Sequence, residues 1–306
     1  MRIVIRSTGA FIVFFFSLCP LCLSGEPTLE ARLTPLVKEH KGKVAIAMKH
    51  LRNNASFYLQ ADEPMPTASL IKLAAMIEAY QQAVEGKIRL GDLVTLHNAD
   101  KVPGSGILTE NFSDGASFPL RDAVRLMIAF SDNTATNLVL DKIGVGATAQ
   151  RMEAWGYPNT RINAKSFRGD TTSIAPDRTK RFGLGSTTAR EMVLILEKLE
   201  AGKLVNPEAC KEMLEHLKKC NDQDKFTRFL PAKTMVAHKT GSVSDIRTDA
   251  GILYLPSGPV ALCVLTEKNE DQSWRPDNAG NMLCARVAKE VYDYFSKVTE
   301  RPNPSK

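Results

Sequence analysis

The sequence predicts an α/β fold of two lobes: an antiparallel sheet lobe formed by both ends of the mature chain, and an all-helical lobe inserted between them. Three observations predict it. Short apolar, β-prone runs occur early (44–48 and 56–59) and return late (235–237, 250–255 and 260–266). The stretch between them carries helical spacing instead, as where Met192, Ile195, Leu196 and Leu199 recur at i, i+3, i+4, i+7. No internal repeat or low-complexity linker divides the 306 residues, and 43% apolar content suffices for one large domain or two packed lobes.

The first element is not part of that fold. Arg2 and Arg6 precede an apolar run over 10–23, and the small residues Ser24 and Gly25 offer a cut site. This pattern is a secretory signal peptide over 1–24, too short for a spanning helix. Leu18 and Leu21 stand before Cys19 and Cys22, where a lipid-anchoring signal wants a small residue, so a soluble periplasmic or secreted protein is expected. Cleavage removes two arginines and lowers the net charge from +6 to +4. With no basic tract and no aromatic interleaving, nucleic acid is not an expected partner.

The mature domain is expected over 25–298, with a short tail at 299–306. It opens with a helix over 28–40, carrying Leu29, Leu33, Leu36 and Val37. A hairpin follows, turning at Asn53-Asn54. A helix starts at Ser69 and runs to Gly86. Further helices are expected over 119–130, 133–143, 146–155 and 187–200, giving a helical lobe over about 69–210. Between Trp155 and Ser186 lies a long polar segment without periodicity, a kind of loop that tends to be functional. The three late strands follow, with a turn at 256–259, and a last helix over 279–298 carries Met282, Val287, Val291 and Tyr294.

Four cysteines remain in the mature chain. Cys210 and Cys220 read as opposite ends of one helix, about 15 Å apart and too far for a disulfide. Cys263 and Cys284 read as buried free thiols. No Cys/His spacing suits zinc, and neither a metal nor another cofactor is expected.

Ser69 is the only serine with a lysine three residues on. At a helix start that spacing brings hydroxyl and amine to one face. An amine lowered in pKa by its apolar surroundings can then act as base for a serine nucleophile. An N-cap serine followed by a snorkelling lysine fits the same four residues. Two further motifs change the balance: Ser131-Asp132-Asn133 at a helix–helix junction, and Lys239-Thr240-Gly241 at the end of a strand. Each alone reads as a cap or a strand end. Three in this order, each at a structural boundary, point to one site in the crevice between lobes.

With these motifs, with Pro103-Gly104-Ser105-Gly106-Ile107-Leu108, with Thr134-Ala135-Thr136-Asn137 continuing the second motif, and with Arg247-Thr248-Asp249-Ala250-Gly251, the sequence resembles the class A β-lactamase family of penicillin-recognising serine hydrolases. The resemblance covers nearly the whole mature chain and implies a β-lactamase/D,D-peptidase-like fold. It also implies roles. Ser69 attacks the lactam carbonyl, and Lys72 with Ser131 moves protons. The N–H groups of Ser69 and Ser242 bind the oxyanion. Lys239 and Thr240 hold the substrate carboxylate, reinforced by Arg247, while Asn133 binds the acylamide. Gly241 lets the strand approach the substrate closely.

One part of the family pattern is missing. No glutamate occurs between Glu153 and Glu191, so the usual water-activating residue of the polar segment is absent. Aligned from Thr160-Arg161, its position holds Ser166, the neighbouring asparagine position holds Asp170, and Ala164 replaces a loop-tying arginine. Either Asp170 serves as a shifted base, or deacylation is impaired. The expected function is a serine β-lactamase-like hydrolase opening β-lactam rings, with slow deacylation as one consequence of the missing glutamate. The alternatives are a penicillin-binding D,D-peptidase acting on cell-wall peptides, and a sensory protein acylated once by penicillin. The expected partner is a small β-lactam or D-Ala-D-Ala-type peptide, bound by a monomer without a stable membrane anchor.

Overall fold

In the computed structural model, residues 26–298 are described, so the predicted signal peptide and the C-terminal tail lie outside the described residues. The chain begins with α1 (Leu29–Glu39), β1 (Lys43–His50), β2 (Ser56–Leu59) and β3 (Met65–Pro66). A 3-10 turn, Ala68–Ile71, leads into α2 (Lys72–Val84). Next come β4 (Leu93–Thr95), α3 (Leu108–Asn111), β5 (Ser117–Pro119), α4 (Leu120–Ala129), α5 (Asn133–Ile143) and α6 (Val145–Ala154). The polar segment holds β6 (Arg161–Ile162), α7 (Gly169–Thr172), α8 (Pro176–Phe182) and β7 (Gly185–Thr187). The chain closes with α9 (Ala189–Glu200), α10 (Pro207–Leu217), β8 (Val236–Val243), β9 (Ile246–Leu255), β10 (Gly258–Glu267) and α11 (Ala279–Val298).

Five strands form an antiparallel sheet in the order β2-β1-β10-β9-β8. Val44 pairs with Thr266 and Met48 with Leu262, so the early hairpin docks on the late strands and the two chain ends close one lobe. Strand alternation divides the core in two. Val44, Ile46, Met48, Leu253, Leu262 and Val264 pack against Leu29, Leu33, Leu283, Val287 and Val291 of α1 and α11. The opposite face is built largely of alanines, Ala45, Ala47, Ala237, Ala250 and Ala261, which let the helical lobe approach closely.

At the centre of that lobe lies α2. Its residues from Lys72 to Tyr80 are all buried, the signature of a helix enclosed on every side. Its buried Glu78 is matched by Arg151 at 2.9 Å and Gln82 at 2.8 Å, since an unpaired carboxylate there would be costly.

Three local expectations change. Lys239-Thr240-Gly241 does not end its strand: β8 runs on to Val243, because pairing with β9 continues past the apolar run. Helix α10 stops at Leu217, so Cys220 lies beyond its end rather than on it. All four cysteines are buried and free. The polar segment, shapeless in sequence, is anchored by tertiary pairing, β6 and β7 forming a small sheet with β3.

Candidate active site

Ser69 lies inside the 3-10 turn rather than at an α-helix cap, and α2 proper begins at Lys72. A 3-10 turn has three residues per turn, which stacks positions 69 and 72 in line. The turn is entered through Ala68 at φ +47°, a left-handed conformation that alanine adopts only under constraint. The constraint is visible in β8. A Cβ on Gly241 would overlap the Thr67 carbonyl and the Thr248 hydroxyl and lie 2.9 Å from Leu70 N. Thr248 Oγ1 also donates to Thr67 O at 2.8 Å. Gly241 is therefore required by the turn that carries Ser69, a packing reason beside the sequence expectation of close approach to a substrate. The same packing sets the Ser242 backbone beside that turn.

Lys72 is fully buried. Its Nζ donates to Ser131 O at 2.6 Å and Asn133 Oδ1 at 2.8 Å, with Ser131 Oγ at 3.4 Å. Burial, and secondarily the charge of Lys239, hold its pKa well below the ordinary lysine value; Asp132 opposes them weakly. The partly exposed Ser69 hydroxyl makes no hydrogen bond to any described residue. Lys239, also fully buried, donates to Ser131 Oγ at 3.0 Å and to Thr240 O at 2.7 Å. The Ser131 hydroxyl thus stands between two lysines, in a residue held at φ +53°.

Asp132 builds this junction. One carboxylate oxygen caps α5 at Ala135 N, 2.8 Å, and the other accepts from Ile107 N and Leu108 N at 2.7 and 2.9 Å. Ser105 Oγ adds a 2.8 Å bond to Ser131 O, and Asn133 Nδ2 reaches Pro103 O at 3.1 Å. The capping reading of the 131–133 run is met by Asp132, one residue before α5, a residue assigned no part in the site from sequence.

Two expected site residues are placed differently. Arg247 is 1% exposed, and its guanidinium is spent on backbone carbonyls: Val243, Ser244 at 3.3 Å, Ile246 at 2.8 Å and Ser273 at 2.6 Å. It clamps the β8–β9 turn to the loop before α11. Asp170 stands exposed in the first turn of α7, with no hydrogen bond or ion pair to any described residue. Ser166 is buried, and its backbone N–H and C=O are gripped by Asn137 at 2.8 and 3.0 Å. Its own hydroxyl has no partner. In place of the missing arginine, the loop is tied by the Lys165–Asp141 ion pair and by Asn163, which bonds Gly183 O at 3.0 Å.

With this geometry the comparisons become informative. The family model described as "Beta-lactamase enzyme family" matches residues 28–295. The chain belongs to the beta-lactamase enzyme family. Among characterised relatives, the extended-spectrum β-lactamase PER-1 of Pseudomonas aeruginosa is 24% identical over 291 residues, covering 91% of each chain. A β-lactamase from Sphaerobacter thermophilus superposes with a TM-score of 0.76 at 26% identity, covering 90% of this chain and 98% of that one. A structure of PBP-A gives 0.75 at 24% identity, with coverage of 88% and 96%, and speaks for the fold alone. The two-lobed β-lactamase fold is thereby shown. No helix among the described residues is long and apolar enough to cross a membrane.

Proposed function

We propose that this chain is a class A-like serine β-lactamase that opens the β-lactam ring through an acyl-enzyme on Ser69 and releases it slowly. The observation that carries this reading is Lys72: fully buried, with no carboxylate bound to it, and one 3-10 turn from Ser69. As a neutral amine it uses its two N–H groups on Ser131 O and Asn133 Oδ1, which leaves its lone pair to accept a proton. Ser69 Oγ bonds to the lactam carbonyl carbon as its proton passes to Lys72. The ring C–N bond then breaks, and the nitrogen takes a proton through Ser131, which lies between Lys72 and Lys239. The N–H groups of Ser69 and Ser242 receive the oxyanion, an interaction worth about 3 kcal/mol per donor. Lys239 and Thr240 hold the substrate carboxylate, and Asn133 the acylamide.

Hydrolysis of the ester needs an activated water. Ser166 offers a hydroxyl where a carboxylate would serve, and Asp170 faces solvent, so deacylation is the slow step. A second reading, a D,D-peptidase acting on wall peptides, draws on the same feature, since release of a peptide acyl group needs no such glutamate. The small-molecule substrate, the monomeric state and export to the periplasm or medium belong to the proposal too.

An intact-mass time course with a penicillin tests it. A transient adduct with accumulating product is expected for the β-lactamase. A permanent adduct at Ser69, with cleavage of a D-Ala-D-Ala peptide, identifies the peptidase. No adduct overturns both.

A further inference from the structure

The small β3–β7–β6 sheet has two unlike faces. Ile162 of β6 is fully buried, and a Cβ on Gly185, across from it on β7, would lie 2.7 Å from Ile71 Cγ1. That face is pressed onto the turn that carries Ser69, where Thr67 N donates to Gly185 O at 3.0 Å. The next pair, Arg161 and Ser186, also stand directly opposite each other, so both side chains leave the other face. Ser186 is fully buried; its hydroxyl donates to Asn159 O at 2.8 Å and accepts from Arg178 Nη2 of α8 at 2.7 Å. Two arginine side chains, one from a strand and one from a helix, thus share a face at the neck of the polar segment.

Their surroundings do not balance them. Arg161 has one carboxylate, Glu153 at 3.3 Å, and that group is 59% exposed. Arg178 is half-buried and has no carboxylate partner among the described residues; its Nε is buried without any acceptor. Phe182, with its ring centre 5.0 Å from the guanidinium carbon, offers only the face of a ring. Asp177, the neighbouring carboxylate in sequence, is exposed and bonds to neither arginine. Other arginines drawn into the fold are completed, Arg151 by Glu78 at 2.9 Å and Arg247 by backbone carbonyls. A guanidinium withdrawn from water with donors left open is costly unless an anion from outside the chain completes it. Burial, and after it the charge of Arg161, push Arg178 below the ordinary arginine value, the direction that a missing counter-charge produces.

We propose that Arg178 and Arg161 form a binding site for a small phosphate-type oxyanion, on the face of β6 and β7 turned away from the Ser69 turn. Guanidinium N–H groups match the paired oxygens of such an ion, and a tetrahedral one can be held from a helix and from a strand at once. It would tie α8 to the neck of the polar segment. Chloride, a sphere without paired oxygens, cannot bridge the two forks. The site lies outside the cleft, and the proposal does not depend on the chemistry at Ser69.

The test titrates the mature chain with sodium phosphate by calorimetry and thermal unfolding, with sodium chloride at matched ionic strength as reference. One saturable phosphate site is expected. At ten times its dissociation constant, phosphate should shift the unfolding equilibrium about elevenfold and raise the melting temperature by about 3 °C. Arg178→Gln and Arg161→Gln should each weaken phosphate binding about tenfold or more, the loss expected when charge-assisted hydrogen bonds are removed. Should Arg178→Gln fail to fold, Arg161→Gln, whose side chain is 29% exposed, carries the same comparison. No saturable site, an equal response to chloride, or a phosphate affinity that neither substitution changes overturns the proposal. So does binding that survives both substitutions and is lost in Lys239→Ala, which would place the ion in the cleft.

Discussion

Two regions meet near the turn that carries Ser69. The first, made of the 131–133 junction and β8, has its polar atoms paired: Lys72, Lys239, Asp132 and Asn133 are buried and each bonds to two or more groups. The second, the loop around Ser166, is held by its backbone and by the Lys165 and Asn163 side chains, while the Ser166 and Asp170 side chains stay uncommitted. Asn137 fixes Ser166 on both sides, yet the Ser166 hydroxyl is orphaned, Phe167 at φ +55° is 66% exposed, and Asp170 faces solvent. A buried hydroxyl without a partner costs about 1–3 kcal/mol, so the fold fixes the Ser166 backbone without using its side chain. On the proposed function the difference makes the two half-reactions separable: the first region would supply the paired groups for acylation, and the second offers no buried carboxylate for deacylation.

Substitutions sharpen that contrast, the strongest first. Ser69→Ala should abolish the penicillin adduct by intact mass and lower turnover on the order of 10⁴-fold or more. Ser166→Glu should speed deacylation about 10²-fold by supplying a general base. An unchanged release rate in stopped-flow would show that the loop does not present position 166 to the ester.

A pH series probes the first region. Lys72 accepts a proton only when neutral, and its folded pKa lies well below 10.5. Acylation should therefore be at full rate above that folded value and fall about tenfold per pH unit below it. Stability carries the same sign: the unfolded chain binds a proton that the buried amine resists, so stability rises with pH between the folded pKa and 10.5. An acid limb unaltered in Lys72→Gln would assign it to another group.

Arg247→Ala should cost about 2–4 kcal/mol in chemical denaturation, because several buried carbonyls lose their donor. Provided the variant folds, the KM for a β-lactam should change less than about threefold; a much larger rise would return Arg247 to carboxylate binding. Smallest of all, Asp170→Asn should alter steady-state turnover by less than about twofold, within the range of an exposed, unpaired group. A fall approaching 10²-fold would make Asp170 the base after all.

The parts that were legible in sequence are those whose signal is local. Helical spacing marked α4, α5, α9 and α11, because one buried face must repeat every 3.6 residues whatever packs on it. The three motifs were legible from residue type and interval, although Lys239-Thr240-Gly241 lies within β8 rather than at its end. The cap read for the 131–133 run falls on Asp132, because a short acceptor one residue before a helix is a local signal. The loop over 163–174 was not legible, since its shape comes from Asn137, Asp141 and β3, elements that lie far away in sequence. Arg247 misled for a related reason. A cation next to a catalytic strand reads as a ligand for anions, and only the fold shows its donors spent on carbonyls.

By itself the sequence determined the division into a sheet lobe and a helical lobe, the nucleophile–lysine spacing and the absence of a glutamate from the polar segment. Those are properties of residue type and interval, which survive any packing. Tertiary structure decided that Lys72 and Lys239 converge on the Ser131 hydroxyl, why position 241 has no side chain, and that His238 and Asp249 meet across two strands. Such facts depend on register and burial, which bring together groups that lie far apart along the chain.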